Sequence, residues 1–266
     1  MRRFLTLLAT LACTGGCSCQ DKPRPPPAPP VATAPAPALS APALPTAPPI
    51  PPEAMALHMQ GRQRGQEGQF PEALQLFQQA QAAAPDWLIP LYDTGYTYVL
   101  MGDTAQALAT FEQVEARAPQ GFSESKKFLD SLRREKAGTV PPGTLRDFLA
   151  LRQLRDPKQA HQKLVALTQR APQFVPAWQE LAMAEENLAA ARTLVEKTLA
   201  LKPDEETRGL LLVHQATLLR REGQEDEGQK RLRALAEDPQ LPPSVTGLAR
   251  ELQLTLPERP PAAPVP

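Results

Sequence analysis

From Glu53 to Leu256 the chain alternates short amphipathic runs with breaks at Gly, Pro and Asp. Ala73 and Phe77 lie one helical turn apart within such a run, as do Ala107 and Phe111. That spacing puts both side chains on one face of a helix. The breaks read as helix ends. Gly68 and Gly102 stand where a first helix stops, a place that favours the left-handed backbone glycine adopts without cost. Asp86, Asp103 and Asp156 stand where N-caps belong, and Pro157 follows the last of them at the first helical position. Thr144 and Asp147 have the spacing of a capping box. The stretch Gly121 to Gly138 predicts a separate amphipathic helix with Phe128, Leu129 and Leu132 as its apolar stripe, and SVTGLARELQL predicts a closing helix. The pattern predicts an all-α fold.

The runs also repeat. Pro85 and Pro119 are 34 residues apart, and GQFPEALQLFQQAQAAAP and GDTAQALATFEQVEARAP align before them without a gap. Later stretches keep parts of the same pattern: Ala160, Leu164, Leu167 and Pro172; then Trp178, Leu181, Ala182, Ala191 and Pro203; then Ala216, Gly223 and Leu232. In the last, Gly228 stands where alanine is expected, which should loosen the helix by roughly 1 kcal/mol. The two aligned lines resemble the tetratricopeptide repeat, a helix-turn-helix unit of that period. The resemblance implies a helical-hairpin solenoid of about five repeats, the later ones degenerate. Residues 53–137 are expected to hold two repeats plus a capping helix, and 141–256 the degenerate repeats plus a C-terminal helix. A single continuous superhelix is the alternative. Solenoids need polar end caps, and the extra helix fits that role. Its basic residues Lys126, Lys127, Arg133, Arg134 and Lys136, interleaved with Glu124, Asp130 and Glu135, are expected to form a solvated face.

The repeat register also sorts the tyrosines, all three of which lie between Tyr92 and Tyr98. Tyr98 falls where the resemblance implies a tyrosine packed between paired helices, and Gly95 and Ala182 where it implies close helix contact. Tyr96 is separated from Tyr98 by about 200° of helix rotation, and Tyr92 lies one turn before Tyr96. The resemblance places that face in a groove for a protein or peptide partner. The equivalent places elsewhere are His58 and Arg62, Leu145 and Leu149, Gln179 and Met183, and Val213 and Thr217. The expected partner-binding residues are thus Tyr92, Tyr96, His58, Arg62, Leu149, Gln179 and Met183. The chaperone-carboxylate activity of some family members is not carried over, because its lysine and asparagine are replaced here. Alanine at both Tyr92 and Tyr96 is expected to leave folding largely intact while weakening partner capture.

Composition changes the picture mainly at the N-terminus. Of the 32 prolines, 14 lie between Gln20 and Pro52 among alanines, so residues 20–52 are expected to be a disordered Pro/Ala-rich linker. In polyproline II form its reach is on the order of 100 Å. Before it, two arginines and the uncharged run Phe4 to Ala12 have the layout of an export signal, and nine residues are too few for a membrane-spanning helix. Cys13, Cys17 and Cys19 end residues 1–19, and no cysteine occurs elsewhere. The arrangement resembles a bacterial lipoprotein signal, with Cys17 as the lipidated residue and Cys13 as the alternative; Thr14 and Thr10 replace the leucine preferred three residues earlier. The resemblance implies a lipid anchor on the periplasmic side of the envelope, at the outer membrane. Residues 257–266 are expected to be a disordered tail.

The 29 basic and 29 acidic side chains balance, so no global field points to nucleic acid. His58, His161 and His214 are scattered, and no nucleotide-binding or hydrolase signature occurs. No cofactor, metal or catalytic residue is expected. The implied function is a non-enzymatic protein-interaction scaffold; a passive spacer between membrane and cell wall, or an enzyme with an unrecognised site, are the alternatives.

Overall fold

The computed structural model describes residues 49–254. Cys13, Cys17, most of the linker and the C-terminal tail lie outside the described residues. Among the described residues there are twelve α-helices and no strand: α1 Pro52–Gln66, α2 Phe70–Ala83, α3 Leu88–Met101, α4 Thr104–Arg117, α5 Ser125–Lys136, α6 Thr144–Leu151, α7 Pro157–Arg170, α8 Val175–Ala184, α9 Leu188–Ala200, α10 Glu205–Arg221, α11 Glu225–Glu237 and α12 Pro243–Leu254. Helices α1 and α2, α3 and α4, α8 and α9, and α10 and α11 pack as hairpins.

The 34-residue period has a packing cause. A Cβ at Gly61 would lie 2.6 Å from the Phe77 ring, and one at Gly95 would lie 3.0 Å from the Phe111 ring. Each of the first two hairpins therefore closes by seating a buried phenylalanine of its second helix on a glycine of its first. Gly102 supplies the left-handed turn between α3 and α4 with φ of 81°. Asp103 and Asp156 cap α4 and α7, accepting from the Gln106 and Lys158 amides. Asp86 does not cap. The N-cap of α3 is Trp87, one residue later, and no side chain bonds there; the Trp87 ring packs edge-on against His58, which sets where the helix starts.

The helix between the second and third hairpins is not an end cap. α5 packs against α4 on one side and against α6, α8 and α10 on the others. Its stripe Phe128, Leu129 and Leu132 is fully buried, inside a cluster that runs from Val99 of α3 to Leu181 of α8. The apolar core is therefore continuous across residues 137–141. The Thr144–Asp147 capping box is likewise absent. Thr144 donates to the Pro141 carbonyl and Asp147 pairs with Arg170. The N-terminus of α6 is capped by the buried carboxylate of Glu135, reaching from α5: Oε2 accepts from the Gly143 amide at 2.9 Å and Oε1 from the Leu145 amide at 2.7 Å. A carboxylate on a helix N-terminus satisfies orphan donors and meets the positive end of the dipole.

The basic residues of α5 form a solvated face only in part: Arg133 and Lys136 are exposed, and the other three are engaged. Lys127 is buried and bonds Glu124 at 2.9 Å. Lys126 faces Glu205 of α10 at 3.6 Å. Arg134 pairs with Asp130 and donates to the carbonyls of Leu201 and Lys202, at the end of α9. Charge on this helix is spent on fastening it to its neighbours. Gly228 also differs from expectation. A Cβ there would lie 2.7 Å from the Ala216 carbonyl oxygen, so glycine is what lets α11 approach α10, and alanine would not tighten the hairpin.

Where α5, α10 and α12 meet, Glu206 is buried and accepts from Ser244 at 2.8 Å, while its second oxygen, Asp204 Oδ2 and Thr207 Oγ1 have no protein partner. Burial pushes the Glu206 carboxyl above its ordinary value; Ser244 and Lys127 oppose this, and Asp204 and Glu124 add to it. A carboxyl raised in the folded state favours folding below its unfolded pKa, and that contribution is lost as pH rises through the folded value. Glu206→Gln is therefore expected to raise the unfolding midpoint at pH 7 relative to the parent, with the difference vanishing near pH 4. Thermal melts of the two proteins across that range measure it, and a parent that equals or exceeds the variant at pH 7 would contradict the burial.

Candidate functional site

Helices α1, α3 and α6 enclose a solvent-open cleft of about 640 Å³. Four of the residues expected from the repeat register meet there: Arg62 from α1, Tyr92 and Tyr96 from α3, and Leu149 from α6. Gln66 on α1, one turn beyond Arg62, and Gln153, in the turn that follows α6 and four residues beyond Leu149, also line it, together with Asp93, Leu100 and Ala150. Helical spacing from Arg62 and Leu149 carries the signal for both glutamines.

The other expected residues are elsewhere. His58 is buried, with its ring between Phe77 and Trp87. Its Nε2 lies 2.7 Å from Asp93 Oδ2, so it orients a carboxylate of the cleft rather than touching a ligand. Gln179 is buried on α8, and Met183 is 49% exposed, but neither lines the cleft. Leu145 and Val213 are buried as well. Inner-face positions of the later units are thus mostly covered, and the open part of the register is at its N-terminal end.

The two tyrosines are also partly committed to the core. Tyr92 packs edge-on against Phe111 at 5.7 Å and Phe122 at 6.0 Å, and stacks on Phe128 at 6.1 Å. Tyr96 lies 6.1 Å from the same Phe128 ring. Burial pushes both phenols above the ordinary tyrosine range, so both remain neutral hydroxyls that can donate and accept. Behind them, Arg152 bonds Glu124 at 2.9 Å and approaches Glu180 at 3.6 Å. Burial opposes ionisation of Glu124, but Lys127 and Arg152 outweigh it and hold the carboxyl below its ordinary value. Among the described residues Arg62 has no hydrogen-bond or carboxylate partner, which leaves a cation free at the cleft mouth.

Stacked helical hairpins with a solvent-open cleft of aromatic, amide and cationic groups define a helical-repeat protein. The tetratricopeptide repeat family model matches residues 66–135. That segment takes in α2, α3, α4 and nearly all of α5, and is similar to tetratricopeptide repeat sequence. Among solved structures, a thermophilic tetratricopeptide repeat protein of Thermus thermophilus aligns at 20% identity over 74% of this chain and 97% of its own, with a TM-score of 0.31. A superposition that loose transfers neither geometry nor function. No curated protein matches the chain.

The packing of Tyr92 revises what alanine does there. Tyr92→Ala is expected to cost about 2–4 kcal/mol of stability, as for other buried aromatics, while Tyr92→Phe keeps the ring contacts and costs about 1 kcal/mol or less. Urea unfolding of the two variants measures this. A Tyr92→Ala midpoint equal to the parent's would place the ring outside the core.

Proposed function

We propose that this protein is a non-enzymatic docking scaffold that holds a partner polypeptide in the cleft between α1, α3 and α6. The observation that carries this reading is the cleft itself. Its walls come from helices that are not neighbours in sequence, and its lining combines apolar rings with unengaged hydrogen-bonding groups: the Tyr96 hydroxyl, the Gln66 and Gln153 amides and the Arg62 guanidinium. Aromatics with polar tips bury area at low entropy cost and are common anchors of protein interfaces. The repeat family supports the same reading, because tetratricopeptide repeats suggest interaction scaffolds.

The location we propose follows from the N-terminal sequence. The signal and Cys17, with Cys13 as the alternative, would tether the helical body by a lipid to the periplasmic side of the envelope, at the outer membrane, and the Pro/Ala segment would act as the spacer. A photoreactive amino acid at Gln153 in cells is expected to capture a discrete polypeptide that the same group at Gln113, on α4 away from the cleft, does not capture. Mass spectrometry of the mature N-terminus is expected to find an acylated cysteine at position 17. Identical adducts from both positions, or recovery with cell-wall sacculi alone, would favour a passive spacer.

A further inference from the structure

A second open cleft, of about 460 Å³, lies between α6 and α7 and is floored by Leu151, Leu154 and Leu167. It shares one wall with the first cleft: Ala150 of α6 lines both, is exposed, and is the smallest side chain that could stand between them. Each cleft is lined by one carboxylate with a side-chain partner and one cation without: in the first Asp93 bonds His58 and the cation is Arg62, and in the second Asp147 pairs with Arg170 and the cation is Lys163. Among the described residues neither Arg62 nor Lys163 has a hydrogen-bond or carboxylate partner.

Resting on the docking reading above, we propose that the partner is an acidic segment bound in extended form across α6 over Ala150, with one apolar side chain in each cleft. The spacing follows from elementary dimensions. A helix with its side chains is about 10–12 Å across, and a chain extended as polyproline II rises about 3.1 Å per residue and returns a side chain to the same face every third residue. Two anchors that straddle α6 are therefore about three residues apart. Their acidic neighbours meet Arg62 on one side and Lys163 on the other, and Gln153 lies beside the saddle for backbone pairing. A helical segment would instead need anchors about seven residues apart to cover the same distance.

The probes are synthetic decapeptides of glutamate, serine and two leucines, with the leucine separation varied from one to seven, titrated against the full chain by fluorescence anisotropy. Affinity is expected to peak at a separation of three. Ala150→Trp, which raises the saddle, is expected to reduce the best peptide to the level of a single-leucine control, a loss of about tenfold or more. Arg62→Glu with Lys163→Glu is expected to weaken it about threefold to tenfold, and to reverse the preference toward peptides with lysine in place of glutamate. That rescue reads the contact even if Ala150→Trp perturbs folding. A peak at seven, no dependence on separation, or an unchanged preference in the charge-reversed variant would overturn the two-cleft proposal. If Gln153 still captures its polypeptide in that case, the docking reading stands and only the extended acidic ligand falls. If neither peptides nor Gln153 capture anything, both fall.

Discussion

Phe128, Leu129 and Leu132 of α5 are buried in one apolar cluster with residues of α3, α4, α6, α7 and α8, and the rest of the structure depends on that packing. A regular array of hairpins stacks each unit on the next and leaves any extra helix at an end. Here the extra helix is in the middle. Its apolar stripe completes the core that begins at Val99 and ends at Leu181, its carboxylate Glu135 starts α6, and Arg134 holds the carbonyls at the end of α9. The degenerate third unit, whose α6 has only 8 residues, is too short to nucleate alone. It becomes a helix because α5 supplies both the surface it packs on and the cap it lacks.

The same helix decides which part of the repeat register stays open. Phe128 sits under Tyr92 and Tyr96, so these two residues of the cleft lining are buttressed by the core. Positions further along, such as Leu145, Gln179 and Val213, are buried. The proposed binding surface is thus confined to the meeting of α1, α3 and α6 and its continuation over Ala150. A cleft pre-formed on a rigid core lowers the ordering cost of capture, and the aromatic cluster behind Tyr92 supplies that rigidity.

The hairpins were legible because their cause is local. Gly95 against Phe111 and Asp103 at its cap act within one repeat, so their spacing is visible in the chain. What was not legible is what depends on distant partners. Asp86 looked like a cap, but Trp87 is held by His58, far back on α1, and the helix begins after it. Thr144 and Asp147 looked like a capping box because nothing in their own segment points to Glu135. Lysines 126 and 127 looked solvated because their carboxylates come from outside the helix, Glu205 from α10 and Glu124 from the preceding loop. Register put Tyr92, Tyr96, Arg62 and Leu149 on one face, and the structure brings the four into one cleft. Register misread His58, whose burial follows from Trp87 and Phe77, and it had no reason to single out Ala150, whose small size matters only once two clefts are seen to share it.

The central claim is that α5 is a shared core element and not the cap of the first two repeats. Hydrogen-exchange mass spectrometry of Phe128→Ala against the parent tests it most directly. Loss of protection is expected in peptides from α3, α4, α6 and α8 together, because all four share the apolar cluster that Phe128 fills. Loss restricted to α4 and α5, with α6 and α8 unchanged, would contradict it.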